Sequence, residues 1–414
     1  MSSKAQEPDR PSGMGFLAYM AICLVVLIAA AAVWMWARSG PQEPPRPLPS
    51  AERPFAQVTP IPLIRAAERI AELDDEAARF TYDDSPKNTD STLPPTRPPG
   101  YVYALARQAT LAGRPTRLSE AAVLSRMAFE FHYSRENPFL SDLFINSYVT
   151  LFIRNAGLDV NLFASAAGGP RTIDEAERFL RENLSAGRPV LADHYEWGLF
   201  IGEEKSDDRL SFVTLSSLLK SVPVSEEKWR GAAWWLRPGF EWVHNLVAVT
   251  RVYEQAAKAY EAQRAAVAAA VFASRLVPDV ADLPESYRKF VAEMPSGSAA
   301  YEKLAADLEA GEDVSLWLAD FPIQRVRFAR DAASAYFRDA AQHYEGNSQR
   351  KLLAAADAFR SEFEAWDAYI RLGKEGDEDW RRQKAQHVRQ AAAAQQQALA
   401  ALDAFYLSLT FGAE

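Results

Sequence analysis

The stretch LLAAADAFRSEFEAWDAYI, residues 352–370, decides the fold. Within it Leu352, Ala356, Phe359, Phe363, Trp366 and Ile370 recur at alternating spacings of four and three. On an α-helix that alternation keeps one apolar stripe facing a partner, the seam of a coiled coil or antiparallel bundle. Val388, Ala392, Gln395, Leu399, Leu402, Tyr406 and Leu409 repeat the pattern downstream; Trp242, Leu246, Val249, Tyr253, Ala256 and Tyr260 carry it upstream. With a further helix predicted over 326–344, residues 241–414 are expected to form a helical bundle. Much alanine and several aromatics in the seams suit close packing within one chain, and an exposed oligomerisation seam is the alternative.

Upstream, residues 101–240 are mixed. Helices are expected near 101–112, 118–131 and 139–156. Another starts at Thr172, where Thr172-Ile-Asp-Glu175 forms a capping box ahead of Phe179, Leu180 and Leu184. Gly187-Arg188-Pro189 ends that helix, and Val190 to Ala192 opens a strand. Gly198 to Gly202 and Leu210 to Leu215 are expected as two further strands, joined by the charged turn from Glu203 to Asp208. The fold class is thus mostly α with a small α+β module.

The N-terminus is of another kind. Gly15 to Ala37 holds no charged residue, and at 1.5 Å per residue it spans the roughly 30 Å of bilayer hydrocarbon. Trp34 and Trp36 stand where headgroups would meet an aromatic belt, and Arg38 closes the segment. The expected organisation is a tail at 1–14, a single transmembrane helix at 15–37, a proline-rich stalk at 38–62, and a short helix and linker at 63–100. A cleaved signal peptide is the rival reading, but bulky tryptophans occupy the place where small residues precede cleavage. Positive charge on the two flanks nearly ties. The short tail before a large C-terminal domain favours an inner-membrane protein of a bacterial envelope, with its domain in the periplasm. The lipid bilayer is then one partner through 15–37, with protein partners, including a larger membrane complex, as others.

A formal charge of −9 without a basic stripe argues against nucleic acid. The single cysteine, Cys23, lies in the anchor, so the remainder has no thiol nucleophile, disulfide or thiolate ligand. No Gly-x-Ser-x-Gly elbow, Gly-rich phosphate loop or His-Glu-x-x-His is present. No residue is therefore assigned a catalytic, cofactor-binding or metal role, and no cofactor is expected. Two clusters could still carry chemistry. Glu130-Phe-His132-Tyr-Ser-Arg-Glu136 sets carboxylates and an imidazole near a helix end. Asp193-His194-Tyr195-Glu196 follows a strand, where alternation puts His194 and Glu196 on one face. The aromatic group Trp229, Trp234, Trp235, Phe240 and Trp242 reads as packing.

Residues 139–215 resemble papain-like peptidases that process bacteriocin leaders, and their non-peptidase relatives. The resemblance rests on Asp142 to Ala156 with Gly157, the helix from Thr172, Gly187-Arg188-Pro189-Val190, and the strand to Gly202. It implies a nucleophile helix, a Gly-x-Pro-Val strand and a strand opening with the catalytic histidine. Here the expected cysteine falls near Phe144, with Asn146 and Ser147 close by; Glu196 and Trp197 stand at the histidine position, with His194 slightly early. Cysteine peptidase chemistry needs a thiolate beside an imidazole, so the resemblance implies a fold without that activity. The functional expectation is a membrane-anchored, non-catalytic scaffold or protein-binding subunit. The alternative is a hydrolase using Asp193, His194 and Glu196, with Ser147 the nearest serine.

Overall fold

The seam at 352–370 is buried as its spacing requires: Leu352, Ala356, Phe359 and Trp366 have no exposed surface, and Phe363 and Ile370 almost none. The computed structural model describes residues 73, 75–82, 98–135, 145–163, 172–192, 198–206, 209–215, 221–225, 246–253, 266–272, 274, 294–314, 321–373 and 376–411. In chain order these form α1 (Gly100–Leu111), α2 (Leu118–Leu124), a 3-10 turn (Met127–Phe129), α3 (Ile145–Asn155), β1 (Leu158–Phe163) and α4 (Ile173–Ser185). There follow β2 (Val190–Ala192), β3 (Gly198–Ser206), β4 (Arg209–Leu215), β5 (Ser221–Ser225), β6 (Leu246–Val252), α5 (Ser298–Ala310), α6 (Phe321–Ala341), α7 (Gly346–Arg371) and α8 (Glu378–Phe411). The expected architecture, mostly helical with a small sheet, is what is found. The expected transmembrane segment Gly15 to Ala37 and the expected stalk lie outside the described residues, as does the aromatic group from Trp229 to Trp242. Among the described residues no helix is long and apolar enough to cross a membrane.

Short connections make α6, α7 and α8 an antiparallel set. Arg338 pairs with Asp357 and Arg360 with Asp331, so residue numbers rise on α6 as they fall on α7. Phe337 stacks on Phe359 at 5.9 Å, and Tyr344 meets Phe405 edge-on at 5.1 Å. α5 lies against α8, with Arg389 gripping both oxygens of Glu309.

The sheet runs β1-β6-β2-β3-β4-β5, every neighbouring pair antiparallel. Strand alternation divides it between two cores. Leu191, Leu199, Val247 and Val249 pack with α1, while Val190, Ala192, Phe200, Leu246 and Ala248 pack with Ala176, Leu180 and Leu184 of α4. Helix α1 is buried from Tyr101 to Leu111. Its Gln108 Nε2 donates to the carbonyls of Pro189 (3.1 Å) and Val247 (2.6 Å), which pins helix to sheet.

Three sequence expectations need correction. Leu246 to Val252, expected as helix, is strand β6, and Ala248 there pairs with Asn161 on one side and Val190 on the other. A strand covered on both faces loses polar alternation, and the run Leu-Val-Ala-Val then fits either periodicity. The helix expected over 118–131 stops at Leu124, because Arg126 adopts a left-handed φ of 75° that no helix continues through. The charged segment from Glu203 is strand as far as Ser206. Strands β1 and β5 were not expected. The helix opened by Thr172 is capped as expected: its hydroxyl accepts from the Glu175 amide, and the Glu175 carboxylate accepts from the Thr172 amide. Gly187, at φ 71°, provides the left-handed turn after it.

Residues 73–82 form a strap over the helices. Leu73 and Phe80 are buried, and Phe80 meets Phe328 of α6 edge-on at 5.4 Å. Glu76 accepts from the amides of Leu118 and Ser119, capping α2, whose own N-cap residue offers no side-chain bond. Tyr82 donates to Asp331, meets Phe363 at a tilt with ring centres 5.6 Å apart and lies under the Arg327 guanidinium.

Candidate functional site

Chemistry-bearing side chains gather where the chain leaves α2. Arg126 departs in the left-handed conformation, at a cost of about 1–2 kcal/mol for a residue with a Cβ. The chain then makes the 3-10 turn and becomes extended. Phe131 to Tyr133 pairs with Pro295 to Gly297, through an isolated bridge between His132 and Ser296 and flanking backbone bonds. The bundle holds this irregular stretch by its carbonyls. Arg330 of α6 donates to the carbonyls of Ala128 (2.8 Å) and Glu130 (3.1 Å), and Gln395 of α8 donates to that of Phe129 (3.0 Å). Arg330 itself is fully buried against Glu362 (2.6 Å), whose same oxygen accepts from Tyr301 (2.5 Å). Three successive carbonyls without regular partners are thus satisfied by side chains from two bundle helices.

This framework aims Glu130 into a pocket lined also by Tyr101, Met127, Phe131, His132, Tyr148, Pro322, Arg325, Val326 and Ala329. His132 Nε2 lies 3.0 Å from Glu130 Oε2, and Arg126 Nε lies 2.5 Å from Oε1. Tyr148 of α3 also bonds Glu130 and stacks on Tyr101 of α1 at 6.0 Å. Burial alone would push the Glu130 carboxyl upward, but His132, then Arg126, then Tyr148 overcome it and hold the pKa below its ordinary value. The Tyr148 hydroxyl moves the other way, well above its usual range, through burial and the neighbouring carboxylate. Arg325 stands 5.9 Å from the Tyr101 ring centre. Space open to water-sized groups is about 40 Å³; at roughly 10–15 Å³ per water this holds about three waters or one small chemical group.

Of the residues singled out in sequence, Glu130 and His132 are brought together in this pocket. Ser147 is buried on α3 and does not line it, although its neighbour Tyr148 does. Asp193, His194 and Glu196 fall between β2 and β3, outside the described residues, as does Glu136. Sequence reasoning missed Arg126, Tyr101, Tyr148 and Arg325, which come from separate helices and a turn. Among the described residues no three His, Cys, Asp or Glu side chains are placed to hold a metal ion. No protein-family model matches the chain, and no curated protein shows detectable similarity to it.

Proposed function

We propose that this chain is a membrane-tethered, non-catalytic binding or scaffolding protein of a bacterial cell envelope. One observation carries the non-catalytic part. The Glu130 carboxylate is held by the His132 imidazole on one oxygen, by an ion pair with Arg126 on the other, and by the Tyr148 hydroxyl. A carboxylate held below its ordinary pKa by three partners is a weak base, whereas a general base works best when tuned toward neutrality. A carboxylate so engaged suits recognition better than proton transfer. The tether rests on the uncharged run from Gly15 to Ala37. The α+β part is read as a relative of papain-like peptidases that lacks their thiol. Support comes from the order α3, Gly157, α4, Gly187 to Val190 and the β3–β4 hairpin, with β1 an addition. The hydrolase alternative, centred on Asp193, His194 and Glu196, has no further observation in its favour.

The test uses full-length protein in native membranes. It should remain in the pellet after carbonate extraction and should take no label from serine- or thiol-directed activity probes. Recovery in the carbonate supernatant would refute the tether. Covalent labelling at Ser147 that disappears in His194→Ala would refute the non-catalytic reading.

A further inference from the structure

We infer that β1 is a self-association edge, on which two copies of this chain join their sheets as antiparallel neighbours about a two-fold axis at Val160. β1 (Leu158–Phe163) is an outer strand, and among the described residues it pairs with β6 alone. A row of backbone donors and acceptors therefore faces outward, the template on which another strand adds. Natural edges are blunted by proline, lysine or a bulge. β1 contains neither proline nor lysine. Its register passes from Arg251 opposite Asp159 to Val249 opposite Val160, so the extra residue is Thr250 on β6 and β1 itself runs unbroken. On this edge Leu162 is 43% exposed.

The side chains of β1 complement themselves. Leu158 and Val160 pack in the α1 core and Phe163 in the α4 core. Alternation then puts Leu162 on the first face and Asp159 and Asn161 on the second. In an antiparallel pair about Val160, Leu158 stands opposite Leu162 of the second copy and Asp159 opposite its Asn161, each pair occurring twice. Leu162 gains an apolar neighbour. Asp159 Oδ1 accepts from the Tyr253 hydroxyl at 2.8 Å, which leaves Oδ2 for the amide of the exposed Asn161. An axis between Val160 and Asn161 would instead join opposite faces and set Asp159 against Leu162. An axis at Asn161 would set Asp159 against Phe163, which offers no donor. A strand of six residues buries little area, so the contact is weak by itself. Confinement of both copies to one bilayer raises their effective concentration; that aid rests on the tether reading, whereas the register does not.

The experiment oxidises full-length protein carrying Cys23→Ser in native membranes with copper phenanthroline. Val160 lies on the axis, so Val160→Cys should give a disulfide-linked dimer. The two Asn161 residues stand two positions out of register, beyond the roughly 7 Å between Cα atoms that a disulfide spans. Asn161→Cys should therefore not link to itself, but should link to Asp159→Cys on a differently tagged copy. In the Val160→Cys background, Asn161→Asp places like charges opposite each other twice and should lower cross-linking roughly fivefold or more. Adding Asp159→Asn restores a carboxylate–amide pair and should recover it. An unaltered circular dichroism spectrum reports that each variant is folded. Val160→Cys cross-linking no greater than that of Gln342→Cys on the exposed bundle surface, self-linking of Asn161→Cys, or a loss that Asp159→Asn does not recover would overturn the inference. So would a Val160→Cys disulfide to a different protein, which gives the edge to another chain. Protein recovered in the carbonate supernatant is scored by the same cross-links at raised concentration, so the tether and the edge fail separately.

Discussion

Arg330 and Glu362 form an ion pair with no exposed surface on either side chain, so each depends on the other to avoid an uncompensated buried charge. Arg330→Ala removes that compensation and two carbonyl partners together. It should lower the unfolding free energy by about 3–5 kcal/mol, measured by urea denaturation. The double variant Arg330→Met with Glu362→Leu should lose less than the single one, since an apolar pair strands no charge; an equal or larger loss would refute this account of the pair. Lys384 supplies a pH test. Its ammonium, wholly enclosed and bonded to the Tyr369 carbonyl, is pushed by burial down to about 7. The unfolded chain then binds a proton between about pH 7 and 10 that the folded chain does not, so stability rises with pH across that window. Urea midpoints should climb from pH 7 to 9 in the native protein and stay flat in Lys384→Met. Little of this was legible beforehand. Gln395 was counted as a member of the seam, and its partner, a carbonyl 266 residues away, was not visible. Arg126 gave no sign, because left-handed backbone usually announces itself through glycine or asparagine.

Elements were legible in proportion to how one-sided their surroundings are. Helices α7 and α8 bury one stripe and expose another, so their seams stood out, and Phe359 marks the centre of one. Phe359→Ala should cost about 3–5 kcal/mol, read by thermal or urea unfolding; less than about 1 kcal/mol would mean that the site collapses around the gap. The capping box at Thr172 is a local signal and was equally plain. Thr172→Ala should remove about 1 kcal/mol, with earlier amide exchange in the first turn of α4 as its local signature. Strand β6 was misread for the opposite reason. Its sides belong to different cores, Val247 and Val249 to one and Leu246 and Ala248 to the other, so no polar face was left to reveal a period of two. Strands β1 and β5 lie at the sheet edges; β5 sets only two valines and a proline between serines, whereas β1 does alternate Leu158, Val160 and Leu162 and was overlooked because it is short and follows directly on the end of α3.

At the scale of the molecule, residues 58–414 form a single compact unit. Strand β6 from beyond residue 240 lies between β1 and β2, and bundle side chains hold the carbonyls at 128, 129 and 130. Deleting everything after Phe240 should therefore leave an insoluble α+β remnant, and the unit at 58–414 should unfold in one transition by both near-UV and far-UV circular dichroism. Separate transitions, or a folded remnant, would show that the parts are independent. The strap at 73–82 bears on how such a unit answers a pull. Glu76 engages α2, Phe80 and Tyr82 engage α6, and Tyr82 also reaches Phe363 of α7. Tension arriving along the N-terminal chain is thus divided among three helices before any helix end is peeled. In single-molecule stretching, Glu76→Ala with Tyr82→Phe should lower the first rupture force and add an early small extension, the length of chain set free as the clasp gives way.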